Sequence, residues 1–549
     1  MYKFIIKIFF LFISFISYHT VMKADTVVGE NNEDKYFRYF TQFNATIGHG
    51  DNTPYWLSAL RQGLVSPTEN SGYTRFGLTY GNTFGDKKQY KYNVTADVTI
   101  NKNNTNTLFI HQAFAELSWR WLTLSIGSKE HFSELKGDIG LFDDTGIGNN
   151  NINRLFPNIH LSNMATLSSG GLSYSGNSRP IPQIRLEIPE YIPFPGTKNW
   201  LHIRAHIAYG TFLDHNFQEK HTRPHPTAQY GKELLYHSKS CFIKIGKPEK
   251  FPLIFEGGVE MYSQFGGDIY NHRSGKIVSM PSTFMDYIKA FIPLSGSKDT
   301  PKDEQTNISG NQLGSWHAAI TIPTKVMDIR LYGEHFFEDF SQLFFFEYQM
   351  DRHGDKNIIY YPWKDIMLGI KLTNKSNLLP FISSVQYEYL NTYDQSGALY
   401  HDPSDNFNEQ MDGVDNYYNH GIYPGWHNWG MGIGNPLIIS PIYNRDGDLK
   451  FKSNRLTAHN IGINGTMGKN TPLAYRLQYT YSENWGTYLY PFSEKKYTTS
   501  VLGELMIAPA NSNWLGCLSV GYDHSNHIGN NLGVMISISH IGSLLKTKK

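Results

Sequence analysis

Apolar and polar residues alternate one by one along several segments of this chain. The alternation is clearest at 475–482 (YRLQYTYS), and it recurs at 201–207, 384–389 and 534–539. Successive side chains of a β-strand point to opposite faces of a sheet, so a period of two predicts strands with one apolar and one polar face. Antiparallel sheets commonly keep one face in water. The pattern therefore predicts an all-β protein built from antiparallel strands.

The connections between these strands are alternately short and long from the middle of the chain onward. Short turns are predicted at 246–252, 322–325, 373–380, 468–472 and 508–513. Long excursions are predicted at 266–313, 338–365 and 391–454, with smaller ones at 483–496 and 523–530. Short turns at one end and long extracellular loops at the other are typical of bacterial outer-membrane barrels. We therefore predict a transmembrane antiparallel β-barrel of about 16 to 18 strands, with ~10 residues in each.

Lipid gives backbone amides no hydrogen-bonding partner, so such a sheet must close on itself and leave no free edge. A barrel of this width is too wide to be filled by its own apolar side chains, and its polar face is expected to line a hydrated lumen. Aromatic residues at strand ends are expected at the two membrane–water boundaries. These residues are Trp119, Trp121, Trp200, Trp485 and Tyr488.

The N-terminus has the anatomy of a secretory signal peptide. Two lysines come before an apolar stretch at 8–16, and a polar region follows. A membrane-anchoring helix is the alternative, but the stretch is shorter than the ~20 residues that a spanning helix needs. We predict a cleaved signal peptide at 1–24, a short periplasmic segment at 25–40 and one barrel domain at 41–549. The predicted location is the outer membrane of a Gram-negative bacterium.

Composition agrees with strands and argues against a nucleic-acid partner. Aromatic residues make up 15% of the chain and there are 49 glycines, a composition that favours strands and turns. The formal net charge is +1, whereas nucleic-acid-binding proteins usually concentrate basic residues on one face. Cys241 and Cys517 are too few for a disulfide framework or a zinc site, and their spacing leaves open whether they pair.

Motifs for catalysis or metal binding are weak in this sequence. The 22 histidines show neither HExxH spacing nor a compact Cys/His cluster, and no GxSxG elbow is present. Glu334, Glu338 and Asp339 form a group of carboxylates at a strand end. Paired carboxylates cleave glycosidic bonds only at a defined separation, so a hydrated acidic strand end is the simpler interpretation. We predict no enzymatic activity, no cofactor and no metal.

The segment 412–435 (DGVDNYYNHGIYPGWHNWGMGIGN) has the most unusual composition in the chain. Aromatic faces stack on sugar rings while carboxylates and amides bond the hydroxyl groups, so this mixture predicts polysaccharide binding. A self-packed loop that plugs the barrel mouth is the alternative, and composition alone slightly favours it. The predicted polysaccharide-binding residues are Asp412, Asp415, Asn416, Tyr417, Tyr418, Asn419, Tyr423, Trp426 and Trp429.

Two unusual strings carry a family resemblance: LSSGGLSYSGNSRPIP at 167–182, and the stretch from DNYYN to GNPL at 415–437. With several further segments in order along the chain, they resemble the Wzi family of outer-membrane capsule-assembly proteins. The resemblance implies an 18-stranded barrel that acts as a surface lectin and helps to assemble and attach exported capsular polysaccharide. It implies no catalysis and no cofactor. Relatives are expected to carry a periplasmic helical bundle, for which residues 25–39 are too few.

Three functions remain open on the sequence. The first is a lectin-like protein whose partners are capsular or other surface polysaccharide, outer-membrane lipid and the polysaccharide export machinery. The second is a porin or transport channel, in which the polar lumen conducts solutes. The third is a barrel hydrolase that uses the carboxylates at 334–339.

Overall fold

The computed structural model describes twelve stretches of the chain. They are residues 35–68, 70–131, 167–293, 309–338, 343–344, 346–350, 356–360, 363–376, 379–395, 415–467, 473–507 and 513–545. The predicted signal peptide at 1–24 lies outside these residues.

Eighteen strands form one closed antiparallel sheet, which we call the wall. The wall strands are β1 (Lys35–Gly50), β2 (Ser71–Phe84), β3 (Tyr90–Lys102), β4 (Leu108–Trp119), β5 (Leu122–Ser128), β6 (Gln183–Pro193), β7 (Leu201–Thr211), β9 (Leu235–Ile245), β10 (Ile254–Phe265), β13 (Asn311–Pro323), β14 (Met327–Glu338), β17 (Ile366–Asn374), β18 (Ser384–Asn391), β21 (Leu456–Thr466), β22 (Leu473–Gly486), β23 (Pro491–Ile507), β24 (Trp514–Ser525) and β25 (Asn531–Ser543). Each strand pairs with its neighbours in chain order, and β1 pairs with β25 to close the barrel. The predicted fold class is confirmed.

The predicted alternation is present on the wall strands. On β22, Leu477 and Tyr479 point outward and are 51% and 43% exposed, whereas Arg476 and Gln478 point inward and are buried. Strand β25 behaves in the same way, with Ile536 exposed on the outside. The outward apolar side chains form the band that faces lipid in barrels of this kind.

The two ends of the barrel differ in the length of their connections. The wall begins at Lys35 and ends at Ser543, both at the end that carries short turns such as 324–326. By the rule that short turns face the periplasm, the other end is extracellular. The excursion predicted at 483–496 is shorter in the structure, because β22 continues to Gly486 and β23 begins at Pro491.

The first strand changes one predicted boundary. Strand β1 begins at Lys35, which lies opposite Asn82 of β2. Residues 35–40 are therefore part of the wall rather than of the periplasmic segment predicted at 25–40. The two cysteines are both free, with Cys241 exposed on β9 and Cys517 half-buried on β24.

Short elements occupy the extracellular connections. The strands among them are β8 (Tyr230–Lys232), β11 (Gly267–Asn271), β12 (Gly275–Met280), β15 (Phe346–Met350), β16 (Lys356–Tyr360), β19 (His427–Asn428) and β20 (Met431–Gly432). The helices are α1 (Tyr55–Ser58), α2 (Phe217–His221) and α3 (Phe284–Phe291), with a 3-10 turn at Pro441–Tyr443. Across the described part of the chain, every helix is too short or too polar to cross a bilayer.

Candidate functional site

Three extracellular connections fold back into the barrel and occupy its lumen. We call residues 51–68, 167–182 and 415–455 the plug. Every residue from 167 to 181 and from 423 to 438 is buried. The polar lumen was expected to be hydrated, but inward side chains such as Gln386 on β18 and Gln478 on β22 are buried. The plug therefore occupies space in the lumen that was expected to hold water.

Two plug segments are joined by hydrogen bonds along their length. The Ser175 N–H donates to the carbonyl of Ile433 at 3.0 Å, and Asn177 Nδ2 donates to the carbonyl of Gly432 at 3.0 Å. Asn435 Nδ2 donates in turn to the carbonyl of Gly170 at 2.7 Å. The two strings that carried the family resemblance are therefore direct neighbours in space.

Four of the predicted sugar-binding rings are buried inside the plug. Tyr417, Tyr418, Tyr423 and Trp426 are at most 1% exposed. Trp426 lies in an aromatic cluster with Tyr236 and Tyr262 of the wall, and its Nε1 donates to the carbonyl of Ser173 at 2.9 Å. These rings have no face open to a polymer outside the barrel. In this conformation they agree with the alternative interpretation, in which the segment is a self-packed plug.

The hydroxyl groups of the two adjacent tyrosines are also used within the protein. Tyr417 Oη donates to Asp365 at 2.8 Å, and Tyr418 Oη donates to the carbonyl of Leu172. Desolvation is the largest cause that raises the pKa of both phenols, so they stay protonated donors. Desolvation likewise raises the pKa of Asp365 to about 6.

The polar members of the predicted set lie closer to the surface. Asp415 and Asn416 are half-buried near the extracellular rim, where the Asp415 N–H donates to the carbonyl of Gln395. Asn419 exchanges two hydrogen bonds with the backbone of Phe451, at 2.9 and 2.8 Å. Asp412 lies outside the described residues. The structure thus brings the described members together, and their role in sugar binding stays a prediction.

Trp429 is the remaining aromatic member, and it is 7% exposed. The guanidinium of Arg179 lies 4.4 Å from its ring centre, and the Phe217 ring packs at 5.7 Å. A cavity beside these groups, lined also by Asn104 and Thr105, has room for about one water molecule. It is too small for a sugar. Burial lowers the pKa of Arg179 to about 9.

Buried wall carboxylates bind the plug through its backbone. A buried charge is costly unless hydrogen bonds compensate it, and irregular backbone leaves amide groups without partners. Four buried wall carboxylates each accept an N–H of the plug backbone, so carboxylate and amide provide each other with a hydrogen-bonding partner. The pairs are Leu172 to Glu334 (2.7 Å), Ser169 to Glu388 (2.6 Å), Tyr418 to Glu338 (2.6 Å) and Tyr55 to Asp523 (2.9 Å).

Ion pairs between arginines and buried carboxylates lie elsewhere in the lumen. Arg61 of the plug and Arg476 of β22 both contact the Glu504 carboxylate at 2.5 Å. Arg75 of β2 binds Glu130 at 2.7 Å, just after β5. Of the carboxylates considered for hydrolysis, Glu334 and Glu338 are buried plug contacts, and Asp339 lies outside the described residues.

One cluster with metal-ligand chemistry was missed on the sequence. Nε2 of His317 lies 3.3 Å from Glu260 and 3.9 Å from Glu334, and the three ligand atoms lie within 4.8 Å of one another. The residues come from β10, β13 and β14, and only the register that places His317 opposite Glu334 brings them together. Two carboxylates and an imidazole are a ligand set that suits a divalent cation. Glu334 also binds the Leu172 amide, so the cluster already has a structural role.

Comparisons with known proteins support the fold. No protein-family profile matches the chain, and no curated protein matches it. Among solved structures, the carbohydrate-binding β-barrel Wzi, an outer-membrane protein involved in group 1 capsule assembly in Escherichia coli, is similar with a TM-score of 0.51 and 11% identity, over 92% of this chain and 84% of that chain. OccK5 of Pseudomonas aeruginosa is similar with a TM-score of 0.44 and 8% identity, over 93% of this chain and 99% of that chain.

OprD of Pseudomonas aeruginosa is similar at a TM-score of 0.43 and 8% identity, over 94% of this chain and 96% of that chain. At such identities the likeness concerns the fold alone. Fold and site together define a class: the protein is an outer-membrane β-barrel of 18 strands whose lumen holds a plug.

We predict that E388Q loosens the plug. The change puts an amide in place of a carboxylate that accepts the Ser169 N–H, and hydrogen bonds to a charged group contribute ~1.5–3 kcal/mol. Amides at 167–172 should therefore exchange hydrogen about tenfold faster or more, as measured by mass spectrometry. E187Q is the matched control, because Glu187 is a buried lumenal carboxylate that pairs with Arg185 of its own strand. Equal exchange in the two variants would contradict the anchoring role.

We also predict that acid loosens the plug. Nδ1 of His420 accepts the N–H of Ile422, and His427 is 1% exposed. Desolvation lowers the pKa of both to about 3, with nearby Lys450 contributing. A histidine in the unfolded plug binds a proton below pH ~6.5, whereas the folded one stays neutral. Each of the two histidines therefore lowers plug stability by about 1.4 kcal/mol per pH unit as the pH falls below ~6.5.

Hydrogen exchange of residues 423–438 between pH about 7.5 and about 5, corrected for intrinsic rates, measures this loss. H427Q should weaken the pH dependence of plug stability by the contribution of about one bound proton. H459Q, at an outward position of β21, should leave it unchanged. A plug whose corrected exchange does not change with pH would refute the prediction.

Proposed function

We propose that this chain is a non-enzymatic binding protein that holds capsular or another exported polysaccharide at the cell surface. The observation that carries the proposal is the plug. A conducting pore needs a continuous path of water, whereas here residues 167–181 and 423–438 are buried inside the barrel, and inward Glu388 and Asn460 hydrogen-bond to Ser169 and Leu167 of the plug. With the lumen occupied, the extracellular face is the surface left for a large ligand.

The chemistry at the rim supports this proposal. Asp415 and Asn416 keep partial exposure beside the extracellular end of β18, and carboxylate and amide groups suit sugar hydroxyls. Asn416 Oδ1 already accepts from Asn419 and Asn454 within the plug, so its Nδ2 group is the one that we expect to contact a sugar. We infer that these polar groups contact the polymer while the buried rings hold them in place. The carbohydrate-binding barrel of similar fold supports the same function, and its capsule role extends here only as part of this proposal. Partners would be the polysaccharide, outer-membrane lipid and the export machinery that delivers the polysaccharide.

The variant D415A/N416A tests the binding surface. Each lost hydrogen bond contributes about 0.5–1.5 kcal/mol, so affinity for the cell's own surface polysaccharide should fall about tenfold. Purified protein in detergent with immobilised polysaccharide gives the measurement. D328A is the control, since Asp328 lies at the periplasmic end of β14, where it pairs with Lys375. Unchanged affinity in the double variant would remove the rim from the binding site.

Planar bilayers separate this function from a porin or transport channel. The natural barrel should show little steady conductance, and W426A should open frequently, because removing a buried Trp costs ~3–5 kcal/mol of packing. W514A is the matched control, with a ring 54% exposed on the outside of the wall. Circular dichroism should show an intact β-sheet in both variants. Steady conductance of the natural chain would favour the channel instead.

A further inference from the structure

Helix α3 lies on the outer surface of the wall, not in the lumen. It packs over outward-facing residues of neighbouring strands near their extracellular ends. Tyr209 Oη of β7 donates to the Tyr287 carbonyl at 2.9 Å, and Phe265 of β10 meets the Tyr287 ring edge-on at 5.1 Å. Gln312 of β13 donates to the Lys289 carbonyl at 3.2 Å.

The face of α3 that contacts the wall is largely polar. Asp286, Lys289 and Ala290 are at most 8% exposed. Asp286 accepts the N–H and hydroxyl of Thr283 at 2.8 and 2.7 Å, which caps the first turn, and it lies 3.6 Å from Lys289. The helix is therefore held to the wall by hydrogen bonds and by the aromatic contacts of Tyr287 with Tyr209 and Phe265.

The opposite face of α3 is apolar and largely exposed. Phe284 is 81% exposed, Met285 54% and Ile292, just past the helix, 49%. Phe291 lies at the edge of this face: it is 42% exposed, and its ring also packs edge-on against His237 of β9 at 5.9 Å. With Ile288 these residues follow the spacing i, i+1, i+4, i+7 and i+8, which is one continuous stripe of a helix. A helix on a water-soluble protein turns such a stripe toward the core. Here the stripe points away from the wall, except at Phe291 on its edge.

The position of α3 relates this stripe to the lipid-facing band. Phe265 is the last residue of β10, so the helix lies at the extracellular edge of the wall. Below it on β9, Ile243 and Ile245 point outward and are 41% and 42% exposed. The apolar stripe thus continues the band that the strands present to lipid.

Lys239 is an independent reason to place α3 on the outer surface of the wall. It is an outward residue of β9, where a bare ammonium group facing acyl chains would be unfavourable. Its Nζ donates to the Ala290 carbonyl at 3.3 Å and also to the carbonyl of Phe291. A cation at the last carbonyls of a helix is favourable, so Lys239 both fixes the C-terminal end of α3 and is covered by it.

We propose that α3 is a membrane-surface helix that inserts its apolar stripe among the acyl chains of outer-leaflet lipid. A short amphipathic helix in this orientation lies in the plane of the interface, with its apolar face below the headgroups. The lipid contact would fix how deeply the extracellular rim, and the plug behind it, sit in the membrane.

Depth-dependent quenching tests the proposal in the full-length barrel. In a C241S/C517S background, the single-cysteine variants F284C, I243C and Y490C each carry a nitrobenzoxadiazole label. The protein is reconstituted in phosphatidylcholine–phosphatidylglycerol vesicles that contain nitroxide lipids. Tyr490 is the matched control, because it is 78% exposed at the tip between β22 and β23. Ile243 reports that the wall is inserted.

Where the label at 243 is quenched, we expect the label at 284 to be quenched roughly twofold or more above that at 490, most strongly by nitroxide near the headgroups. Quenching at 284 equal to that at 490 would overturn the proposal. A label-free measurement uses the natural chain beside F284S/M285S, which leaves the contact of Phe291 with the wall intact. Amides of α3 should exchange about tenfold faster in the double variant in vesicles, with β22 unchanged, and equal α3 rates would also overturn it.

Discussion

Lipid offers no hydrogen-bonding partner to a peptide group, and the pairing of β1 with β25 removes the last free edge of the sheet. The other features of the barrel follow from that closure. Eighteen strands enclose a lumen too wide for wall side chains to fill, so the inner face is polar. The plug fills this space, and Glu334, Glu388 and Asp523 accept its backbone amides. Wall and plug each satisfy polar groups that the other would leave buried without partners.

This reciprocity explains why acidic residues face inward at the plug. Glu388 accepts hydrogen bonds from the Ser168 hydroxyl, the Ser169 amide and the Tyr332 hydroxyl, at 2.6 Å each. A carboxylate with several donors can remain charged away from water. The plug chain, which has little regular secondary structure, gains defined positions for its amides in return. An irregular segment can therefore be buried in the barrel without the ladder of a helix or sheet.

Much of the wall could be predicted from the sequence, because alternation reports two different environments on the two sides of a strand. It located β7, β18, β22 and β25. It failed at 491–496, which were predicted to be part of a loop but form the first residues of β23, because polar residues occupy both faces there and the alternation disappears. Composition singled out one plug segment, at 412–435, and the family resemblance a second, at 167–182, whereas residues 51–68 were not recognised. The wall partners of the plug were not predicted, because Glu334, Glu388 and Asp523 bind plug amides that lie 162, 219 and 468 positions away in sequence.

An aromatic loop rich in Asn and Asp suits two roles, and composition does not separate them. The deciding feature is whether the polar atoms around the rings are already bonded. Those of Trp426 and Tyr417 are, to Ser173 and Asp365, and both rings are fully buried. Asp415, at the rim, is partly open to solvent. Packed rings beneath a polar rim keep it rigid, and a rigid surface loses less conformational entropy when it binds a long polymer. Burial of the rings is therefore compatible with polysaccharide binding, provided that the rim makes the contact.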